Sequence, residues 1–186
     1  MRTKIINLDS RPDRWETICK EVERIGITDY ERFAAYAGGY MGFNKSVHFV
    51  LENEKEVLIL EDDCIFEGTF FDILEAKAKL PDNWDLLYLG ANVQSEQRRF
   101  ANGIWHLDNA WTSHAILYSD KGADWCFRNF DHESGIIYDE WLRTVAQKRL
   151  NCFIMNPMIA FQAVGFSDIW GCQADYGIKG SERLLT

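Results

Sequence analysis

A chain of 186 residues, 47% hydrophobic and 14% aromatic, is sized for one domain with a substantial core, which excludes a largely disordered protein. Its formal net charge of -9, with no run of lysines or arginines, speaks against nucleic acid held by broad phosphate neutralisation. No stretch reaches the length of a membrane span and no apolar leader core precedes the first strand-like segment, so we expect a cytoplasmic protein; the five scattered cysteines, without a C-x-x-C pair, read as reduced small hydrophobes.

Strand-like and helix-like segments alternate, the pattern of a single α/β domain with a mostly parallel central sheet flanked by helices. Residues 4–8 form the first expected strand. A helix is expected to start at Ser10-Arg11-Pro12-Asp13, with Ser10 as N-cap, and to bury Trp15, Ile18, Cys19, Val22 and Ile25 before Gly26 stops it. A short strand over 30–33, a small-residue loop over 34–39 and a helix over about 44–53 follow. Leu58-Ile59-Leu60 reads as a buried strand, and Thr69 with Asp72 repeats the capping pattern for a helix that ends before Pro81. Further strands are expected over 86–89, 115–118 and 151–155, and helices over 121–130 and 138–149. The polar stretch 91–103 reads as a loop, and the chain from about 157 as an irregular segment of the same domain.

The buried strand runs straight into Glu61, Asp62 and Asp63, and so delivers three carboxylates to its carboxyl end, where open α/β sheets bind ligands. Strand alternation directs Glu61 and Asp63 to one side and Asp62 to the other. Two carboxylates converging on one point repel unless a cation lies between them. Hard oxygen ligands suit Mn2+ or Mg2+, ions that commonly bridge a protein to a diphosphate. A solvated acidic turn without a ligand is the competing reading. Arg11 and Arg14, just beyond the first strand, are placed to bind phosphate or stack on a base, or else are surface helix charges. Asp139 and Glu140 open a helix, where the dipole favours their ionised form. They diverge by about 100° around the helix axis, so only one of them is expected to face a reacting group.

Several segments, in order, resemble glycosyltransferase family 25, which includes lipooligosaccharide and procollagen galactosyltransferases. Asn7-Leu8 followed by Arg11, Asp13, Arg14 and Trp15 is similar to the family's start. Leu58 to Asp63 resembles its acidic motif, Trp84 to Gly90 the strand that follows, and Thr112-Ser113-His114-Ala115 its threonine-histidine-alanine stretch. Tyr138-Asp139-Glu140-Trp141-Leu142, and Gln162 with Ser167-Asp168-Ile169, resemble its late acidic motif and tail. Together these pieces cover nearly the whole chain. The departure is at Gly42-Phe43-Asn44-Lys45-Ser46-Val47-His48, where Ser46 aligns and the family's histidine is displaced. The chain is also shorter than typical members, which leaves the acceptor open.

The resemblance implies a GT-A type nucleotide-sugar-binding domain and a UDP-sugar-dependent transferase. It would move a hexose, galactose or glucose, with inversion, to an acceptor hydroxyl on a glycan, a lipooligosaccharide or a hydroxylated protein. It implies Glu61 and Asp63 as ligands of Mn2+ or Mg2+ across the diphosphate, with Asp168 as a further candidate. Asn7, Arg11, Arg14, Ser46, Asp62, His114 and Gln162 are implied at the nucleotide sugar, and Asp139 is the expected base, with Glu140 as its alternative. Structural roles compete with several of these: Asp62 can order its loop, and His114 can be a satisfied core histidine. The other functions in play are a non-catalytic nucleotide-sugar-binding module and a sugar transferase acting on a modified nucleobase.

Overall fold

The computed structural model describes residues 1–168 and 171–174. In chain order its elements are β1 (Arg2–Asn7), α1 (Pro12–Ile25), β2 (Tyr30–Ala34), α2 (Gly39–Asn53), β3 (Val57–Glu61), β4 (Cys64–Phe66), α3 (Phe70–Ala78), β5 (Leu86–Tyr88), β6 (Asn92–Val93), β7 (Arg99–Ala101), β8 (Ile104–His106), β9 (Ala110–Trp111), β10 (Ala115–Tyr118), α4 (Asp120–Asn129), α5 (Tyr138–Thr144), a 3-10 turn (Ala146–Lys148), β11 (Cys152–Met155), β12 (Ala160–Gln162), β13 (Gly165–Ser167) and β14 (Cys172–Ala174).

Eight strands form one sheet in the order β2-β1-β3-β10-β5-β11-β8-β7. β1, β2, β3, β5, β7 and β11 point one way, while β10 and β8 run against them, so the sheet is mostly parallel. Its central strands are apolar on both faces because helices cover both. Ile5, Leu58, Leu60, Leu87 and Leu117 pack on α1 and α3 through Ile18, Val22 and Ile73. Ile6, Val57, Ile59, Tyr88 and Ile116 pack on α2, α4 and α5 through Val47, Val50, Cys126 and Trp141. No helix among the described residues is long and apolar enough to cross a membrane.

The capping box at Thr69 and Asp72 is formed, with the Thr69 N–H donating to Asp72 Oδ2 at 2.7 Å. Other local expectations shift. α1 begins one residue late: Arg11, not Ser10, is its N-cap and makes no side-chain cap bond. Pro12 takes the first helical position, where a missing N–H is tolerated, and Asp13 pairs with Arg11 at 2.8 Å instead of closing a capping box. α2 starts at Gly39, because Gly38 and Gly39 hold φ of 121° and 60° and turn the chain directly into the helix. The expected helix over 138–149 ends at Thr144 and continues as the 3-10 turn. The polar stretch 91–103 is not a free loop: β7 and β8 form a hairpin that extends the sheet beyond β11, and β6 pairs with β9. Past 157 the described chain is paired as well, β12 with β4 and β13 with β14. Residues 169–170 and 175–186 lie outside the described residues, and Ile169 of the family-like tail is among them.

Candidate active site

β1, β2 and β3 are parallel neighbours, so their carboxyl ends open on one edge of the sheet. Antiparallel β10 begins at that same edge and brings the preceding Thr112, Ser113 and His114 there; the Glu61 N–H donates to the His114 carbonyl at 2.9 Å. A cleft lies at this edge, lined by Leu8, Ala35, Tyr36 and Phe43 and by the charged Arg14, Glu61, Asp62, Asp63 and Asp168.

Glu61 is the last residue of β3, and Asp62 and Asp63 fall in the turn before β4. Strand alternation therefore stops at Glu61, and all three carboxylates line the cleft where Asp62 was expected to point away. Asp62 accepts from Asn7 Nδ2 at 2.7 Å and from Arg14 Nη1 at 2.9 Å, which makes it the anchor of its turn. Asp63 lies 3.7 Å from the same guanidinium, interacts with the Gln162 side chain, and keeps a buried Oδ1 without a hydrogen-bond partner. Burial pushes Glu61 well above the usual carboxylate range, and the charges of Asp63 and Asp139 add to it. Burial likewise pushes Asp63 up to about 6, against the pull of Arg14.

Asp139 sits in the first turn of α5. Asn44 of α2 fixes the entry to that helix: its Nδ2 donates to the Ile136 carbonyl at 2.7 Å and its Oδ1 accepts from the Tyr138 N–H at 3.0 Å. Burial pushes the Asp139 carboxyl up to about 6, while the Ser113 hydroxyl and the Thr112 N–H act the other way. Its Oδ1 is buried without a partner. Glu140, the alternative base, is held in a partly exposed ion pair with Arg143 at 3.1 Å. Of the two adjacent acids, only Asp139 meets the carboxylate cluster.

Three residues expected at the nucleotide sugar are instead framework groups. Asn7 is 1% exposed; besides Asp62 it bonds the Arg11 carbonyl at 3.0 Å and accepts from Arg32 Nε at 2.7 Å. Ser46 is fully buried, donating to the Gly42 carbonyl at 2.8 Å and accepting from the Tyr36 N–H at 3.0 Å. It thus sets the loop that carries Tyr36 into the cleft. His114 is also fully buried, with Nδ1 against Thr112 Oγ1 and Nε2 against the Ala160 carbonyl, both at 3.2 Å. Arg11 pairs with Asp13 and Asp168, and Arg14 donates to the Phe166 carbonyl while standing 4.0 Å from Asp168. Asp168 lines the same cleft as Glu61 and Asp63 and is paired there with the arginines; among the described residues no group of three or more His, Cys, Asp or Glu is arranged to hold a metal ion.

Burial pushes the His114 imidazole down to about 4 from its ordinary 6.5, so the folded protein keeps it neutral. The unfolded chain takes up that proton first. The stability tied to neutral His114 is therefore complete above about pH 6.5 and is lost as pH falls through 4, a change on the order of 3 kcal/mol. His114→Gln retains a donor for the Ala160 carbonyl and has no such proton to gain. Urea unfolding at stepped pH should show a steeper acid loss in the wild type than in this variant; parallel curves would refute the assignment.

Asn44, Tyr36 and Phe43 were not singled out from the sequence. Asn44 stands at the expected start of its helix, where an asparagine reads as a cap, and only the earlier start of α2 at Gly39 makes it an interior residue. For the two aromatics, composition does not distinguish a cleft wall from core.

No family model matches the sequence, and no curated protein matches it. In three dimensions the chain is similar to A197 from STIV, with a TM-score of 0.54 at 12% identity over 96% of this chain and 97% of that one. It is also similar to the apo form of the glycosyltransferase GlyE of Streptococcus pneumoniae TIGR4, with a TM-score of 0.51 at 15% identity over 81% of this chain and 44% of that one. The chain thus has a glycosyltransferase-like α/β fold of the GT-A type.

Proposed function

We propose that this protein is a glycosyltransferase that moves a hexose, galactose or glucose, from a UDP-sugar to an acceptor hydroxyl with inversion, in the manner of the family 25 enzymes it resembles. The observation that carries this reading is the meeting of two acidic groups behind one cleft, Glu61 and Asp63 at and just past the end of β3, which line it, and Asp139 from the start of α5, whose charge acts on Glu61. Arg11 and Arg14 beside the carboxylates suit a phosphate-bearing donor. A glycan, lipooligosaccharide or hydroxylated protein would offer the acceptor oxygen.

Asp139 is the base. Its buried Oδ1 has no hydrogen-bond partner and is the atom that would accept from the acceptor hydroxyl. As the acceptor oxygen bonds to the anomeric carbon, the bond from that carbon to the diphosphate oxygen breaks, the electron pair leaves with the diphosphate, and the hydroxyl proton passes to Asp139. A carboxyl pushed up to about 6 is still ionised near neutrality and is more basic than an ordinary aspartate.

The donor set fits a hard divalent ion. The charge of Asp63 adds to the burial that raises the proton affinity of Glu61, and Asp63 has an unpartnered oxygen. Mg2+-like ions are usually held by one or two carboxylates, with phosphate and water completing the shell. Mn2+ or Mg2+ held by Glu61 and Asp63 would supply charge neutralisation for the leaving diphosphate.

The test is release of UDP from a panel of donor sugars, with and without Mn2+, beside calorimetry of UDP binding. Asp63→Asn should weaken metal-dependent UDP binding on the order of tenfold or more, and Asp139→Asn should leave it nearly unchanged. Full turnover in excess chelator would sink the metal role. UDP binding with no transfer from any donor would make the protein a non-catalytic binding module.

A further inference from the structure

Between the two acidic groups lies a tripeptide that neither of them explains. Ser113 is 3% exposed and its hydroxyl donates to Glu61 Oε1 at 3.1 Å. The same hydroxyl interacts with Asp139, as does the Thr112 N–H. Thr112 has a φ of 76°, and it is the single non-glycine residue at positive φ among the described residues. A β-branched side chain in the left-handed region is strained, and such strain persists only where the surroundings over-determine it. Here they do: Thr112 Oγ1 is fastened to the buried His114 ring, whose other nitrogen is fastened to the Ala160 carbonyl. The bracket reaches from β10 to β12, the strand that also carries Gln162 to Asp63.

We propose that Ser113 is a positioning residue whose hydroxyl fixes the donor-side Glu61 and the acceptor-side Asp139 relative to one another. This rests on the transferase reading above. A serine hydroxyl has one proton, which it gives to Glu61 or to Asp139 in turn, both carboxyls lying within its reach, and one atom sets the spacing of both. Thr112, held left-handed, presents its N–H to Asp139 from the same turn. His114 acts one step further back, on Thr112. Without the hydroxyl, the two acids repel across an unfilled gap. Asp63, Arg11 and Arg14 are untouched by the change and Glu61 keeps its place at the end of β3, so the loss falls more on the reacting geometry than on donor binding.

Ser113→Ala should lower kcat roughly 10- to 100-fold, the range expected for about 1 Å of misplacement at a reacting centre. The UDP dissociation constant and the melting temperature should stay close to wild type, and Ser113→Thr, which restores a hydroxyl, should recover most of the rate. An unchanged kcat in Ser113→Ala overturns the assignment. So does a loss of kcat that comes with equal losses of UDP affinity and thermal stability and is not rescued by threonine, because a packing role moves all three together. A wild-type protein that neither binds UDP nor releases it from any donor overturns the transferase reading itself, an outcome distinct from both.

Discussion

Asp139→Asn is expected to lower turnover on the order of 100-fold or more while UDP still binds, since the amide keeps the size and most polar contacts of the carboxylate but cannot take a proton. Glu140→Gln should be close to wild type, because Glu140 is engaged by Arg143 at the partly exposed side of α5. The comparison needs only UDP release at saturating donor and calorimetric UDP binding for both variants. An inactive Glu140→Gln beside an active Asp139→Asn would exchange the two roles. Activity in both would place the base elsewhere and leave these acids to complement the helix dipole.

Gly90→Ala should cost at least about 3 kcal/mol of stability, above the ordinary range for a surface change and typical of an overpacked core. A Cβ at Gly90 would lie 1.8 Å from the Ala160 carbonyl oxygen and 3.2 Å from His114 Nε2. Neither neighbour can retreat cheaply. The Ile159 and Ala160 N–H groups are bonded to the Leu89 carbonyl at 2.9 and 3.2 Å, and His114 is fixed at both nitrogens. Urea unfolding measures the effect. A change under about 1 kcal/mol would show that β12 slides away from β5 at little cost.

The central sheet was legible because helices cover both faces, so β3, β5, β10 and β11 read as unbroken apolar runs. The direction of β10 was not, since a strand buried on both sides reads alike beside parallel and antiparallel partners. The β7–β8 hairpin looked like a loop because edge strands carry polar residues such as Arg99. In the site, Glu61, Asp63 and Asp139 stood out as acids at the ends of elements. Asn7, Ser46 and His114 did not separate from ligand-binding groups, for the same residue type serves a ligand or the framework and only burial tells them apart. The misplacement of Asp62 followed from extending strand alternation past the point where the strand ends.

β10 enters the sheet against its neighbours and closes the gap between β3 and β5. Until that strand is seated, Glu61 lacks the Ser113 hydroxyl and the protein lacks a complete carboxylate cluster. The repulsion between Asp139 and Glu61 is therefore weaker in partly folded chains and burdens mainly the native state. This makes the start of β10 a seam where local opening relieves charge as well as breaking hydrogen bonds, so it opens at a lower free energy than its burial alone would set. Whatever occupies the cleft with positive charge closes the seam by mass action, and occupancy of the site and integrity of the sheet rise together.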